Sequence, residues 1–173
     1  MASFRVANMV LRVCQLVFAV IVMGLIGNMI DDATNGSSST VNYNMFVPAF
    51  TLLTLFYLIP AGIWDKVMMH PGIVFIIDVM NCIFIFCGAV ALPAKQHVHS
   101  CTNEDYTSTN SITRGSPFPE KRCREGQAAT AFLWFLWFTF LLTSIFSGLA
   151  MVDKLKGRPA RRRGGSAPTM SQV

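Results

Sequence analysis

The sequence predicts an all-α integral membrane protein, a bundle of four transmembrane helices with both termini in the cytoplasm. Composition is the first sign: 53% of the residues are hydrophobic and 13% charged, where a soluble domain carries about 25% charged residues. Mean hydropathy is +0.48. The second sign is the spacing of the charges. Eighteen uncharged residues separate Arg12 from Asp31, and 32 separate Asp32 from Asp65. Asp78 is the sole charge between Lys66 and Lys95, and none falls between Glu125 and Asp153. A helix crossing a hydrocarbon core of ~30 Å needs about 20 apolar residues. The gaps therefore predict spans at 9–30, 45–63, 71–93 and 128–152, forming one membrane domain over 1–152 followed by a basic tail at 153–173.

Charge placement gives the threading. Nine of the 14 Lys and Arg residues lie near the N-terminus, in the short 64–70 connection and in the tail. The other five lie in the 94–127 loop, where four acidic residues nearly cancel them, and the 31–44 loop has Asp31 and Asp32 with no basic residue. The positive-inside rule puts the termini in the cytoplasm and the two longer loops outside. The net charge of +5 then implies contact with an anionic inner leaflet rather than nucleic acid.

The first span follows Arg5 and Arg12 and is longer than the apolar region of a signal peptide, with no A-x-A-like cleavage site after it, so it is expected to be retained. Gly24 and Gly27 offer a place for another helix to approach closely; two tolerated glycines are the plainer reading. Asn35-Gly36-Ser37 is a glycosylation sequon, but it lies only five residues past the span, and no glycan is expected there. The second span holds Pro48 and Pro60, which bend or end a helix unless neighbours satisfy the freed carbonyls. Trp64 suits the interfacial aromatic belt.

The third span, Pro71 to Pro93, contains Asp78, with Asn81 three residues on and so on the same helical face. Spans one and three run in the same direction. Arg12, seven residues beyond Arg5, and Asp78, seven beyond Pro71, are therefore both ~10 Å into the membrane at 1.5 Å per residue. Opposite signs at matched depth predict a buried pair joining spans one and three, with Asn81 as an added hydrogen-bonding group. The alternative has Arg12 snorkelling to the headgroups and Asp78 lining a wet cavity.

The 94–127 loop holds Cys101 and Cys123, and no other loop has a cysteine. In an oxidising compartment they should form a disulfide worth roughly 3 kcal/mol on the chain-entropy model. The rest of that loop reads as polar and turn-rich. The fourth span carries AFLWFLWFTF, whose aromatics circle the helix and suggest lipid contact. Ser144 and Gly148 form a small-x-x-x-small pair suited to helix packing. In the tail, Lys154, Lys156, Arg158, Arg161, Arg162 and Arg163 sit beside the membrane, each able to add ~1 kcal/mol of attraction to anionic lipid; fixing the topology is the duller role. The tail is expected to be disordered. Cys14, near the inner interface, is open to S-palmitoylation, with plain packing as the competing reading. Cys82 and Cys87 read as packing residues.

No catalytic pattern appears: no C-x-x-C, H-E-x-x-H, G-x-S-x-G or phosphate loop. His70, His97 and His99 have no partner set resembling a metal site. No enzyme activity, metal or cofactor is expected.

Several stretches together resemble the MARVEL-domain proteins of the fungal non-classical export protein 2 type. They are NMVLRV at 8–13, VNYNMF at 41–46, IDVMNCIF at 77–84, HSC at 99–101, the Tyr106 to Gly115 region, RC at 122–123, QAATAFL at 127–133 and the terminal SQV. Arg12, Asp78, Asn81, Cys101 and Cys123 match family positions. Tetraspanins need a Cys-Cys-Gly in the large loop, and claudins a cysteine pair in the first loop; both are missing. The resemblance implies a four-helix plasma-membrane protein of the sterol-associated furrows that eisosomes underlie. Such proteins organise those domains, respond to sphingolipid status and are linked to unconventional protein export. The expectation is thus a self-associating organiser that binds sphingolipid or sterol and meets eisosome-associated cytosolic proteins. The alternative is a small transporter, channel subunit or export factor using Arg12 and Asp78.

Overall fold

The computed structural model describes residues 2–34, 36–63, 71–97, 99–113 and 116–156. Trp64 and the rest of the 64–70 connection, Asn35, and the tail from 157 onward, with Arg158 and Arg161 to Arg163, lie outside them. The chain forms α1 (Ala2–Asp31), α2 (Ser39–Ile63), α3 (Pro71–Gln96), a short α4 (Glu104–Thr109) and α5 (Pro119–Lys156). Four of these are long and apolar enough to cross a membrane.

The helices run past the predicted spans at several ends. A continuing helix satisfies its own backbone groups, so nothing forces it to stop at the membrane surface. α2 passes through both Pro48 and Pro60. α3 passes through Pro93 and closes with the His97 amide donating to the Pro93 carbonyl at 2.9 Å. His97 has φ of 50°, the left-handed conformation that ends helices. The largest departure is α5, which begins at Pro119 and takes in the last nine residues assigned to the 94–127 loop. Proline with its preset φ suits a first helical position, and Glu120 complements the helix dipole there. Cys123 is therefore a helical residue.

Around the bundle, α1 packs on α2 and α5, and α3 packs on the same two helices. Helices α1 and α3 face one another across the diagonal, with no direct backbone contact among the described residues. Consecutive membrane-spanning helices are antiparallel, so Met9 of α1 lies beside Gly62 of α2, and Phe75 of α3 beside Gly148 of α5. We call this the terminal end and the opposite one the loop end. Each helix turns a stripe spaced by three and four residues to the axis: Arg12, Gln15, Ala19, Val22, Ile26 and Met29 on α1, and Asp78, Asn81, Ile85, Ala89, Leu92 and Gln96 on α3. This 3.5-residue period is that of left-handed bundle packing. Apolar side chains also cover the outside, with Leu53 68% and Phe56 79% exposed, as lipid contact requires.

Two glycines permit close approach. A Cβ on Gly88 would meet the Asn44 side-chain oxygen at 2.7 Å, and one on Gly126 would meet that of Gln96 at 2.5 Å. The pair singled out from the sequence behaves otherwise: Gly24 and Gly27 have nothing within 4 Å of a built Cβ. They lie on an open face and bring no helix of this chain closer. A Gly148 Cβ would touch the Phe75 ring at 3.2 Å, while Ser144 is buried and donates to the Phe140 carbonyl of its own helix at 2.8 Å. Of the α5 aromatics, Phe135 and Phe138 face outward, but Phe140 is fully buried and Phe132 and Trp137 pack against the core. The aromatic segment is therefore divided between lipid and interior, because a ring of side chains around a packed helix must meet both.

Candidate functional site

The polar residues of the inward stripes meet near the terminal end. Arg12 of α1 and Asp78 of α3 form a bidentate ion pair, with Nη1 donating to Oδ1 at 2.6 Å and Nη2 to Oδ2 at 2.8 Å. Their relative exposures are 2% and 0%. Arginine's planar fork matches a carboxylate in this geometry. Arg12 Nη1 also donates to Gln15 Oε1 at 3.0 Å, and Gln15 Nε2 donates to Thr143 Oγ1 of α5 at 3.1 Å. The Thr143 hydroxyl in turn donates a hydrogen bond to the Phe140 carbonyl at 3.2 Å. Ser147 Oγ lies 3.0 Å from Asp78 Oδ2 and 2.8 Å from the Thr143 carbonyl; its single proton favours the ionised oxygen, the stronger acceptor. One ion pair thus crosses the diagonal of the bundle and is tied to α5 on both flanks.

The structure does not bring Asn81 into this group. Thr51 Oγ1 donates to Asn81 Oδ1, and Asn81 Nδ2 lies within reach of Thr54 Oγ1 and the Ile77 carbonyl, each at 3.0 Å. Three residues advance a helix by 300°, so Asn81 stands 60° away from Asp78 and meets α2 instead. It is a separate α2–α3 tie.

The loop end is fastened differently. Cys101 and Cys123 form a disulfide with Cα atoms 5.6 Å apart. Gln96 Nε2 donates to the Cys123 carbonyl at 2.6 Å, joining α3 to α5. Asn110 Nδ2 reaches the carbonyls of Lys95 and Gln96, each at 3.1 Å, which seats the loop on the end of α3. Asn28 Nδ2 donates to Glu125 Oε1 at 2.5 Å, and Lys121 pairs with Asp32 at 2.9 Å, joining α1 to α5. Burial pushes the Tyr106 phenol up, and its hydroxyl donates to the His97 carbonyl at 2.8 Å. Among the described residues no cluster of His, Cys, Asp or Glu could hold a metal ion.

Other sequence-predicted residues stay apart. Cys14 is half-buried with a free thiol, as is Cys82, while Cys87 is exposed. Lys154 and Lys156 are exposed in the last turn of α5. The structure adds Gln15, Thr143 and Ser147 beside Arg12 and Asp78, and Thr51 and Thr54 beside Asn81. A signal existed for Gln15: it follows Arg12 by three residues in an otherwise apolar run. Thr143 and Ser147 carried none, because hydroxyls are common in membrane helices and bond their own backbone.

A four-helix bundle of membrane-spanning length, with its internal charges paired across the axis, defines a multi-pass membrane protein. The chain belongs to the MARVEL family: the family model, described as a membrane-associating domain, matches residues 4–146. It is 35% identical over 176 residues to non-classical export protein 2 homolog 1 of Saccharomyces cerevisiae, covering 96% of this chain and 98% of that protein. It is 36% identical to non-classical export protein 102 of Candida albicans (97% and 98% covered) and 34% identical to non-classical export protein 2 of S. cerevisiae (96% and 98%). No solved structure gives a significant match.

Proposed function

We propose that this protein is a non-enzymatic organiser of plasma-membrane domains rich in sterol and sphingolipid, of the eisosome type, linked to sphingolipid sensing and to non-classical protein export. One observation supports it above the others. The Arg12–Asp78 pair is bidentate, hydrogen-bonded to Gln15 and Ser147, and buried within the bundle, which supports charges that hold helices together rather than line a path. The relatives' names supply the link to non-classical export. The wide apolar exterior, including Phe46, Leu53 and Phe56, supplies surface for sterol, sphingolipid and further copies of the chain. Lys154 and Lys156 at the end of α5 fit a cytoplasmic, anionic leaflet contacting eisosome-associated proteins, with both termini inside.

The test is localisation in yeast. A fluorescently tagged chain should occupy static patches that disperse when sphingolipid synthesis is blocked. Uniform surface distribution unaffected by that block overturns the reading. Ion or solute flux in reconstituted vesicles that is abolished in Asp78→Asn would favour a transporter instead.

A further inference from the structure

At the loop end, α3 and α5 leave a groove whose chemistry changes along its length. Its mouth is a cavity of about 300 Å³ lined by Pro93, Gln96, His97, Gln127 and Thr130. His97 also lines a neighbouring cavity of about 380 Å³, with Lys95, His99 and Tyr106 among its walls. Lys95, His97 and His99 are exposed, and neither lining contains a carboxylate. Among the described residues Lys95 forms no ion pair. The contrast with the third loop-end cavity is sharp: there Glu104, Glu120 and Glu125 mix with Lys121 and Arg124.

Below the mouth the same seam turns apolar. On α3, Val90 and Phe86 follow Pro93 toward the membrane centre at spacings of three and four residues, each 44% exposed. On α5, Trp134 and Trp137 follow Thr130. Phe86 lies 6.0 Å from Trp134 and 5.7 Å from Trp137, ring centre to ring centre. An imidazole and amides at this mouth, with Lys95 and His99 in the adjoining cavity, stand above a half-exposed aromatic seam, which is the shape of an amphiphile with its head at the interface and its chain alongside the helices.

We propose that this groove is a specific site for one lipid of the loop-side leaflet bearing an anionic phosphate headgroup. The head sits among Lys95, His97, His99 and Gln127, and one acyl chain lies along Val90, Phe86 and Trp134. Lys95, cationic and in no ion pair among the described residues, gives the charge complementarity where neither lining holds a carboxylate, and the apolar seam selects a lipid over free phosphate. Such a contact would serve the organising role proposed above, but its test reads lipid binding alone, so either reading can fail without the other.

The chain contains three tryptophans. In a full-length Trp64→Phe background the emission comes from Trp134 and Trp137 alone. The protein is placed in phosphatidylcholine nanodiscs containing a minor fraction of phosphatidic acid or of phosphatidylcholine, brominated on the acyl chain. Brominated phosphatidic acid should quench as if enriched roughly fivefold, the effect of one interfacial cation, and millimolar inorganic phosphate should leave that ratio intact. Lys95→Ala/His97→Ala/His99→Ala should bring the ratio to one. Gln127→Glu, a near-isosteric change at an exposed position, should lower the ratio, and Gln127→Lys should raise it. Equal quenching by the two lipids in the parent overturns the proposal. So does a ratio that the two Gln127 variants leave unmoved, or one that free phosphate abolishes.

Discussion

At the terminal end a buried ion pair joins α1 to α3 across the bundle axis, whereas at the loop end a disulfide and side-chain amides join neighbouring elements around the rim. Arg12 is 2% exposed, but Lys121, which bridges Asp32 at the loop end, is 49% exposed. A half-exposed ammonium can complete its hydrogen bonding with water. A guanidinium inside the bundle has only protein to bond to, and so gathers Asp78 and Gln15 around it, with Thr143 and Ser147 behind them. Depth decides whether a polar group's partners come from protein or from water, but it does not complete them: among the described residues Arg12 leaves Nε without a partner, and Arg122 at the loop end, also 2% exposed, leaves Nε and Nη1 without one.

The comparison is broken most directly at Asp78. Asp78→Leu leaves Arg12 buried without its counter-ion and should lower stability by about 3–5 kcal/mol, read as a fall in the thermal midpoint in detergent. Arg12→Met/Asp78→Leu should recover much of that loss, since the cost lies in the orphaned charge. If the double variant is no better than the single, the pair is not what holds the terminal end.

Next in size is the loop-end covalent tie. Cys123→Ser should cost roughly 3 kcal/mol, and reduction of the unmodified protein should reproduce the shift, while reduction of the variant should do nothing further. Third comes close packing. Gly126→Ala sets a methyl against the Gln96 side chain and should destabilise by about 1–3 kcal/mol. Gly24→Ala, on an open face, should leave the midpoint unchanged or slightly raised; a loss equal to that of Gly126→Ala would mean a partner covers that face. The smallest loss is expected at the neutral tie, where Asn81→Leu should cost about 0.6 kcal/mol, the average for an interhelical hydrogen bond in a membrane, and at most ~1.7 kcal/mol. A cost matching that of Asp78→Leu would erase the distinction between charged and neutral depth.

The residues that the sequence made legible share one trait: they are conspicuous against an apolar background. Asp78 and Arg12 stand out in their spans, and Cys101 and Cys123 stand out in a loop. Residues that blend in were invisible. Gly88 and Gly126 differ from Gly24 and Gly27 only in what faces them, and Thr143 and Ser147 differ from other hydroxyls only in rotation about the helix axis. Asn81 is harder to read, because a three-residue step from Asp78 keeps two side chains roughly on one face, yet 60° is enough to reach a different helix.

By itself the sequence determined four membrane-length helices, because unpaired backbone in hydrocarbon forces any long uncharged run into a helix. It also determined the polar groups that must turn inward, since lipid cannot solvate them. Only the tertiary structure decided which helices are neighbours and which are diagonal, how far α5 extends beyond the membrane, and which hydroxyls and amides complete each polar layer. The reason is physical: helices apolar all round carry no periodicity that fixes their rotation or partners. The choice falls to shape, to the few glycines that permit contact, and to whether Arg12 and Asp78 can meet across the axis.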